Sequence, residues 1–334
     1  MKIKSIKIKS QILALAVFVG LGACSLTNGM PIPTATNQKL ASSFEMFRNF
    51  QHKHMPIPQL QEPQSSNTTT TTTTLPENTQ GSENWAGYIN TPDTGESYTS
   101  VSGSWTIPTI SASQTDAVAA QWIGLGGVSS TDLLQMGTIE EIDNGQPVAK
   151  VFWEELPSTA QNVMTVPIGS TISASIAPST GSSSTWTLTF TINGETPSQT
   201  IPPVTLSSDY AQGIGTSAEW ISEDPSNQNG QLYPLANMGS VTYHSAMVNG
   251  QSLKSIGNVQ PVALVSQSGD VLIAPSELGS DGESFSTNVV NSASSTGTSQ
   301  GYRPNRTQRF PSSWIHVSIT QGSQDDGFVW TWEF

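Results

Sequence analysis

Apolar and hydroxyl side chains alternate with a period of two between residues 185 and 192. Four apolar residues alternate there with threonines: Trp186, Leu188, Phe190 and Ile192. This period places the apolar side chains on one face of an extended chain, as in a half-buried strand. Asn193-Gly194 and Asn249-Gly250 are strong hairpin signals, and no stretch shows convincing helical amphipathicity. The sequence therefore predicts an all-β domain built as an antiparallel sandwich.

Residues 1–23 predict an export signal of the lipoprotein type. Lysines precede an apolar run from Ile12 to Leu21, which is too short to span a membrane as a mature helix. The run ends in Leu21-Gly22-Ala23-Cys24, which resembles the lipobox of bacterial lipoproteins, where cleavage precedes a cysteine that then carries lipid. Ordinary signal cleavage nearby is the alternative. We expect a protein that is exported and either lipid-anchored at the cell envelope through Cys24 or secreted.

Charge and cysteine content exclude several classes of protein. Four of the 12 basic residues lie at positions 2, 4, 7 and 9, so the mature chain keeps eight against 25 acids, a net charge of −17. Such a chain is an improbable partner for nucleic acid. Cys24 is the single cysteine, so disulfides within the chain are excluded. Because few bases lie between His54 and Arg303, protonation of the carboxylates in acid would leave this stretch nearly uncharged, and we expect it to resist acid unfolding.

Composition divides the rest of the chain into three parts. Residues 24–80 are rich in Thr, Pro and Gln and predict a tether or a pro-segment, the latter because a basic patch there could cover an acidic cleft. Residues 81–290 predict one β-sandwich domain. Residues 291–334 predict a C-terminal extension, either added strands or a small accessory piece.

Familiar catalytic patterns are missing from the sequence. There is no His-Glu-x-x-His zinc helix, no Gly-x-Ser-x-Gly elbow and no phosphate loop. Asp93-Thr94-Gly95 matches the active-site triplet of aspartic peptidases, but it occurs once and follows Pro92, which favours a turn. The remaining candidates are polar residues inside apolar strands, namely Gln135, Glu154 and Glu219. A polar strand residue can simply face solvent, although one that faces a partly buried cleft tends to form a site.

The chain resembles a secreted bacterial member of the eqolisin family of glutamic peptidases, because it carries six motifs in the order found in that family. They are Asn84-Trp85-Ala86-Gly87-Tyr88, Val101-Ser102-Gly103-Ser104-Trp105-Thr106-Ile107-Pro108, Gln121-Trp122-Ile123-Gly124, Leu134-Gln135-Met136-Gly137, Phe152-Trp153-Glu154-Glu155-Leu156-Pro157 and Thr216-Ser217-Ala218-Glu219-Trp220-Ile221. The fourth is similar to the motif with the catalytic glutamine of the family, and the sixth to the motif with its catalytic glutamate. Each motif alone is weak, but six in order are specific.

The resemblance implies a bent, concanavalin-like β-sandwich of two antiparallel sheets that acts as an endopeptidase in acid. Glu219 would take a proton from the attacking water, with a low pKa that keeps it ionised in acid, and Gln135 would donate to the oxyanion. Cleft residues that bind substrate or position the pair would be Trp122, Phe152, Trp153 and Glu154. The resemblance implies no metal or organic cofactor, and we expect a monomer whose partners are polypeptide substrates, with membrane contact only through the lipid on Cys24.

Three departures from the family pattern bear on the site. Gly126 and Ile139 stand where fungal members carry acidic residues, with Glu140 next in sequence, and Leu156 stands where the family often places tyrosine. Two alternative functions are a non-catalytic carbohydrate-binding sandwich and a glycosidase that pairs Glu219 with Glu154 or Glu155. Neither alternative uses Gln135 together with Glu219.

Overall fold

The computed structural model describes residues 50–57, 74–114 and 116–290. The predicted export signal, Cys24, most of the predicted tether and the predicted extension 291–334 lie outside them. Seventeen strands make up the described chain: β1 Pro56–Ile57, β2 Gln80–Ser82, β3 Trp85–Thr91, β4 Val101–Thr106, β5 Val118–Gly126, β6 Leu133–Asp143, β7 Gln146–Glu155, β8 Gln161–Val166, β9 Thr171–Pro178, β10 Thr185–Ile192, β11 Val204–Thr205, β12 Ala218–Glu223, β13 Ser240–Val248, β14 Gln251–Ser252, β15 Asn258–Val265, β16 Val271–Pro275 and β17 Phe285–Val289.

The strands form two antiparallel sheets, which confirms the predicted fold class. The first sheet has the order β15-β3-β12-β5-β6-β7-β8. The second has the order β11-β10-β9-β4-β13-β17. Strand β16 pairs with both β15 and β17 and so joins the two sheets at one edge. Short β2 adds to β15 in parallel, and β1 pairs with β2.

The inner faces of the two sheets enclose the main apolar core. Trp220 on the first sheet donates its indole N–H to the Ser102 carbonyl on the second, at 2.7 Å. In the opposite direction, Trp105 donates to the Thr138 hydroxyl at 3.0 Å. These indoles are fully buried, and their N–H groups are satisfied across the interface as burial requires. The alternation seen in the sequence therefore packs one face of each sheet against the other.

The outer face of the first sheet carries a second, separate apolar cluster. Its members are Phe50, Trp85, Ile89, Val118, Ala120, Trp122, Leu133, Ile139, Phe152, Leu156, Ile221 and Val262. We call this surface the cleft face. Because both faces of the first sheet are covered, every residue of β5 and β12 is buried, whereas burial alternates along most of β10.

Both Asn-Gly pairs form the predicted two-residue hairpin turns, with positive φ at each residue. One helix was not predicted, α1 over Ser208–Ile214. It begins at Ser207, whose hydroxyl accepts from the Tyr210 N–H at 3.1 Å. Seven residues are too few to show helical periodicity. Among the described helices, none has the length and apolar character needed to cross a membrane.

Residues 50–57 do not behave as a free tether, because they pack on the cleft face. Phe50 and His52 are almost fully buried, with relative exposures of 4% and 0%. Gln51 and Ser226 exchange two backbone hydrogen bonds of 2.8 and 3.0 Å. Within the predicted tether or pro-segment 24–80, this stretch contacts the sandwich domain through side chains and main chain alike.

Candidate active site

Four polar or small residues lie side by side across the cleft face. Strand register pairs Glu219 with Gly124, Gly124 with Gln135, and Gln135 with Glu154. Directly opposed residues of an antiparallel sheet point to the same face, so all three polar side chains project together. We call Glu219, Gly124, Gln135 and Glu154 the polar row. The structure thus brings together three of the residues singled out in the sequence.

Gly124 lies in the middle of the polar row, between Glu219 and Gln135. A Cβ at this position would lie 2.9 Å from the Trp122 ring and 3.3 Å from the Gln135 Cβ. Glycine is therefore the residue that fits, because the Trp122 ring and the Leu133 side chain already occupy the space over this position.

The Gln135 side chain has a fixed orientation. Its amide nitrogen donates to Glu154 Oε2 at 2.7 Å, while its oxygen Oε1 has no partner among the described residues. An amide nitrogen carries two hydrogens, so one N–H remains after this bond is made. The geometry therefore supplies a buried donor that is held in place by a neighbouring carboxylate.

Glu219 is buried without a compensating hydrogen bond to its carboxyl group. Its relative exposure is 0%, and within the described chain neither carboxyl oxygen has a hydrogen-bond partner. Burial raises the pKa of Glu219 well above its ordinary value, and the nearby Ser217 hydroxyl acts in the opposite direction. The low pKa expected from the resemblance is therefore wrong for the conformation seen here. An uncompensated buried carboxyl is costly, and its place beside Gln135 and Glu154 on the cleft face makes Glu219 a candidate functional residue.

Glu154 is also held partly in its protonated form. Burial raises its pKa to about 7, and the charge of Glu223 adds to this. His52 and the hydrogen bond from Gln135 act in the opposite direction, as does the backbone N–H of His52. Glu154 therefore connects the polar row to residues 50–57, which lie above it.

Glu223 is a candidate site residue that sequence reasoning missed. Its two oxygens accept from Asn84 Nδ2 at 3.1 Å, Trp85 Nε1 at 3.1 Å, Trp122 Nε1 at 2.7 Å and His52 Nδ1 at 2.5 Å. It lies four residues after Glu219 on the same strand, so both side chains share the cleft face. The even spacing from Glu219, together with the tryptophans of two family motifs, is the sequence feature that could have identified Glu223.

The predicted aromatic residues divide between the two faces of the sheet. Trp122 and Phe152 lie on the cleft face, in the register row next to the polar row, and both are buried. Trp153 pairs with Met136 instead and packs against the inner core. Because successive strand residues point to opposite faces, Trp153 cannot share the site with Phe152 and Glu154. Its assignment to substrate binding is therefore corrected.

The Asp-Thr-Gly triplet forms a turn, as the sequence favoured. Asp93 is exposed, its carbonyl accepts from the Glu96 N–H at 2.9 Å, and Gly95 has a φ of 89°. An open depression of about 460 Å³ lies beside this turn, and its lining includes Asp93, Gln212 and Thr216. It contains none of the polar row.

Two of the three departures have a structural reason. Gly126 has a φ of 90°, and a Cβ there would lie 2.2 Å from the Asp132 carbonyl oxygen, so an acidic side chain does not fit. Leu156 joins the apolar cluster of the cleft face. Glu140 points away from this face, because its register partners Ala119 and Ala149 belong to the inner core.

Comparison with known proteins places these observations in a family. A model described as the peptidase A4 family matches residues 83–298. The chain is 27% identical to Aspergillopepsin-2 of Aspergillus niger over 191 residues, which are 51% of this chain and 65% of that protein. The match therefore spans just under two thirds of the length of this relative.

Two solved structures share the fold. One is a scytalido-glutamic peptidase with a transition state analog inhibitor, with a TM-score of 0.52, 20% identity, and coverage of 62% of this chain and 98% of that chain. The other is a Scytalido-glutamic peptidase with a peptide-based transition state analog, with a TM-score of 0.50, 21% identity and the same coverage. At this identity the likeness concerns the fold alone.

Proposed function

The chain belongs to the peptidase A4 family, and we propose that it is a glutamic endopeptidase in which Glu219 and Gln135 carry the reaction in acid. The observation that carries this proposal is the polar row: a carboxyl and an amide flank a side-chain-free position on one face of a sheet. The two groups have different chemistry, so they take different roles.

Glu219 is the proposed base and acid. Its carboxylate removes a proton from water, and the water oxygen forms a bond to the scissile carbonyl carbon. The C–N bond then breaks, and the carboxyl returns the same proton to the leaving amine. Glu219 is thereby restored, and no group outside the row is needed for the balance of protons.

Gln135 is the proposed oxyanion donor. Its amide is neutral at every pH, so a remaining N–H can bind the oxyanion that develops on the carbonyl oxygen without titrating away. Glu154 accepts the other N–H at 2.7 Å and thereby positions the amide. We assign Glu154 a positioning role and Trp122 and Phe152 a role in holding the peptide.

The base must be ionised before it can act. Burial raises the pKa of Glu219, so the carboxyl is neutral in acid while the cleft face stays covered. Entry of water and substrate returns the group towards a carboxyl in water, whose pKa is about 4.3. The proposed acid activity therefore belongs to an uncovered cleft face.

The remaining parts of the proposal concern the whole protein. We propose polypeptide substrates and a monomeric enzyme. We also propose export with lipid attached to Cys24, and this part rests on residues 1–24 of the sequence alone. Loss of the protein from the membrane fraction in a Cys24→Ala variant is the expected result, and an unchanged fractionation pattern would discard the anchor. The carbohydrate-binding and glycosidase alternatives draw no support from the family.

A substrate panel tests the proposed function. The full chain is incubated with unfolded casein or haemoglobin near pH 4 and at neutral pH, beside a set of polysaccharides, and new amino termini and reducing ends are measured. We expect peptide cleavage in acid and none of the polysaccharides to be cut. A Gln135→Ala variant with the same melting profile should lose about a hundredfold to a thousandfold in turnover. Polysaccharide cleavage, or full activity in this variant, would overturn the proposal.

A further inference from the structure

Ser217 is a buried serine whose hydroxyl makes no hydrogen bond within the described chain. The residue immediately precedes β12, and its carbonyl accepts from the Gly126 N–H at 3.0 Å, so it continues the strand ladder. Its relative exposure is 0%, and its Oγ has no partner among the described residues. The hydroxyl of the preceding Thr216, by contrast, donates to the Gly213 carbonyl at 2.7 Å. Of these two adjacent hydroxyls, the one on Ser217 is therefore the unsatisfied one.

Other buried serines near this strand do bond through their hydroxyls. The Ser222 Oγ lies 2.7 Å from the Thr287 hydroxyl, and the Ser226 hydroxyl donates to the Gln51 carbonyl at 3.2 Å. An unsatisfied buried hydroxyl costs free energy, since it loses its bonds to water and gains none in return. The surroundings of Ser217 show which group it can serve.

Strand geometry places Ser217 beside Glu219 on the cleft face. The two residues are two positions apart, about 7 Å along the strand, and alternate residues of a strand share a face. Four positions adjoin Glu219 on this face: Ile89 and Gly124 on the paired strands, and Ile221 and Ser217 along its own strand. Isoleucine and glycine side chains carry no hydrogen-bond donor. Ser217 is therefore the one adjoining side chain that can donate to the carboxyl.

The electrostatics of Glu219 agree with this placement. Burial raises the pKa of Glu219, and the Ser217 side chain acts in the opposite direction. The paired strands face this carboxyl with uncharged residues, while Glu154 and Glu223, together with His52, which interacts with both, lie farther away on the face. In the conformation seen here the hydroxyl and the carboxyl are neighbours without hydrogen-bond geometry, so a change of side-chain rotamer is enough to make the bond.

We propose that Ser217 is a positioning residue for the proposed base, and that its hydroxyl donates to one oxygen of the ionised Glu219 carboxylate. This inference rests on the proposed function, because it gives the hydroxyl a part in the same reaction. A hydroxyl carries one donor hydrogen, so it binds one carboxylate oxygen and leaves the second for the attacking water. The proton from the water goes to that second oxygen and from there to the leaving amine. Ser217 keeps its own proton throughout, so the balance of the proposed reaction is unchanged.

The bond has a direction in pH. A donor to the carboxylate favours the ionised form and lowers the pKa of Glu219, so loss of the donor leaves the base protonated over more of the acid range. In Ser217→Ala the acid limb of the profile of kcat against pH should therefore move to higher pH. Near pH 4, kcat should fall by about tenfold to hundredfold, the span of one hydrogen bond to a charged group, while KM changes little.

Two further variants of the full chain separate this role from packing. Ser217→Thr keeps the hydroxyl, so it should restore most of kcat and the acid limb of the parent. Ser222→Ala is the matched control, because it removes a buried hydroxyl from the same strand on the opposite face, where the partner is Thr287. The control should lower the melting temperature, but its pH profile should match the parent.

Carbon-13 NMR of the full chain with labelled glutamate carboxyls tests the contact without reliance on activity. The resonance of Glu219 is identified by its loss in Glu219→Gln. Its titration midpoint should move to higher pH in Ser217→Ala and stay in place in Ser222→Ala. If Ser217→Thr proves unstable because of its extra methyl group, this comparison decides by itself.

The outcomes separate the contact from the proposed function. An unchanged midpoint in a folded Ser217→Ala chain would overturn the proposal even if kcat falls, since that fall would then reflect packing. Equal losses of kcat in folded Ser217→Ala and Ser217→Thr chains would overturn it as well. If the parent cleaves peptides in acid and Ser217→Ala keeps its kcat and pH profile, the positioning role falls and the proposed function stands. If the midpoint moves as expected but the parent cleaves no peptide, the contact stands and the proposed function falls.

Discussion

Strand β12 carries two buried carboxyl groups on the same face, and their surroundings are opposite. Glu223 accepts four hydrogen bonds, from two indoles, an asparagine amide and an imidazole. Glu219, four residues earlier, has no partner for either oxygen among the described residues. Both have a relative exposure of 0%.

The difference separates a group that organises the site from one that is available for chemistry. A satisfied carboxylate fixes the side chains that donate to it, so Glu223 sets the positions of Trp85 and Trp122. A carboxyl without partners gains nothing for the fold, and in the proposed mechanism it binds the attacking water once the cleft face is uncovered. Changes at the two positions should therefore have different consequences, the first for stability and the second for activity.

Glu219→Gln should give the largest effect on activity. It removes the proposed base and acid, so turnover should fall by about a hundredfold to ten-thousandfold, the usual span for this role. Stability should not fall at neutral pH, since a neutral amide replaces a carboxyl that burial disfavours when ionised. Steady-state kinetics on a peptide substrate and urea unfolding measure the two quantities. A folded and fully active Glu219→Gln enzyme would contradict the assignment.

Glu223→Ala should give the largest effect on stability. It leaves the buried donors of Trp85, Trp122 and Asn84 without their acceptor, which should lower the free energy of unfolding by roughly 2 to 5 kcal/mol. Urea unfolding at neutral pH measures this loss. Glu195→Ala is the control, because Glu195 is exposed and its side chain makes no hydrogen bond in the described structure. A loss as small as that of the control would show that the hydrogen bonds of Glu223 do not support the fold.

Glu140→Gln should change how the free energy of unfolding depends on pH. Burial on the inner face raises the pKa of Glu140 to about 8, and the Thr138 and Gln121 side chains oppose this. The folded chain therefore holds the proton more tightly than the unfolded chain, so stability is full below the ordinary pKa of 4.5 and is lost as the pH rises through about 8. Glu154 has the same direction of shift, with a pKa of about 7.

Unfolding measured between about pH 4 and 9 should show this loss in the parent, on the order of a few kcal/mol. The Glu140→Gln chain should lose less over the same range, since the amide does not titrate. Equal pH dependence in the two chains would mean that Glu140 does not contribute. Stability that falls on mild acidification would contradict the acid resistance expected from the sequence.

Asp93→Asn should give the smallest effect. Asp93 is an exposed turn residue far in sequence from the polar row, and asparagine is equally suited to a turn. Turnover and melting temperature should both stay near those of the parent. Loss of activity in a folded Asp93→Asn chain would reopen the aspartic peptidase alternative.

Local sequence patterns predicted much of the sandwich and the polar row. Alternation identified strands such as β10, the Asn-Gly pairs placed two hairpins, and the family motifs singled out Gln135, Glu154 and Glu219. Helix α1 was missed because one and a half to two turns of helix carry no detectable period. Trp153 was misplaced because a motif names neighbouring residues without saying which of them faces the cleft.

The sequence by itself determined the strands, the turns and the chemistry of the side chains, because these follow from neighbours along the chain. Only the tertiary structure decided which buried carboxyl is satisfied and what covers the cleft face. His52 meets Glu223 across 171 positions and Gln51 meets Ser226 across 175, contacts that no local period can encode. Burial and hydrogen bonding depend on residues brought together from distant parts of the chain, so the packing of residues 50–57 becomes apparent only in the folded molecule.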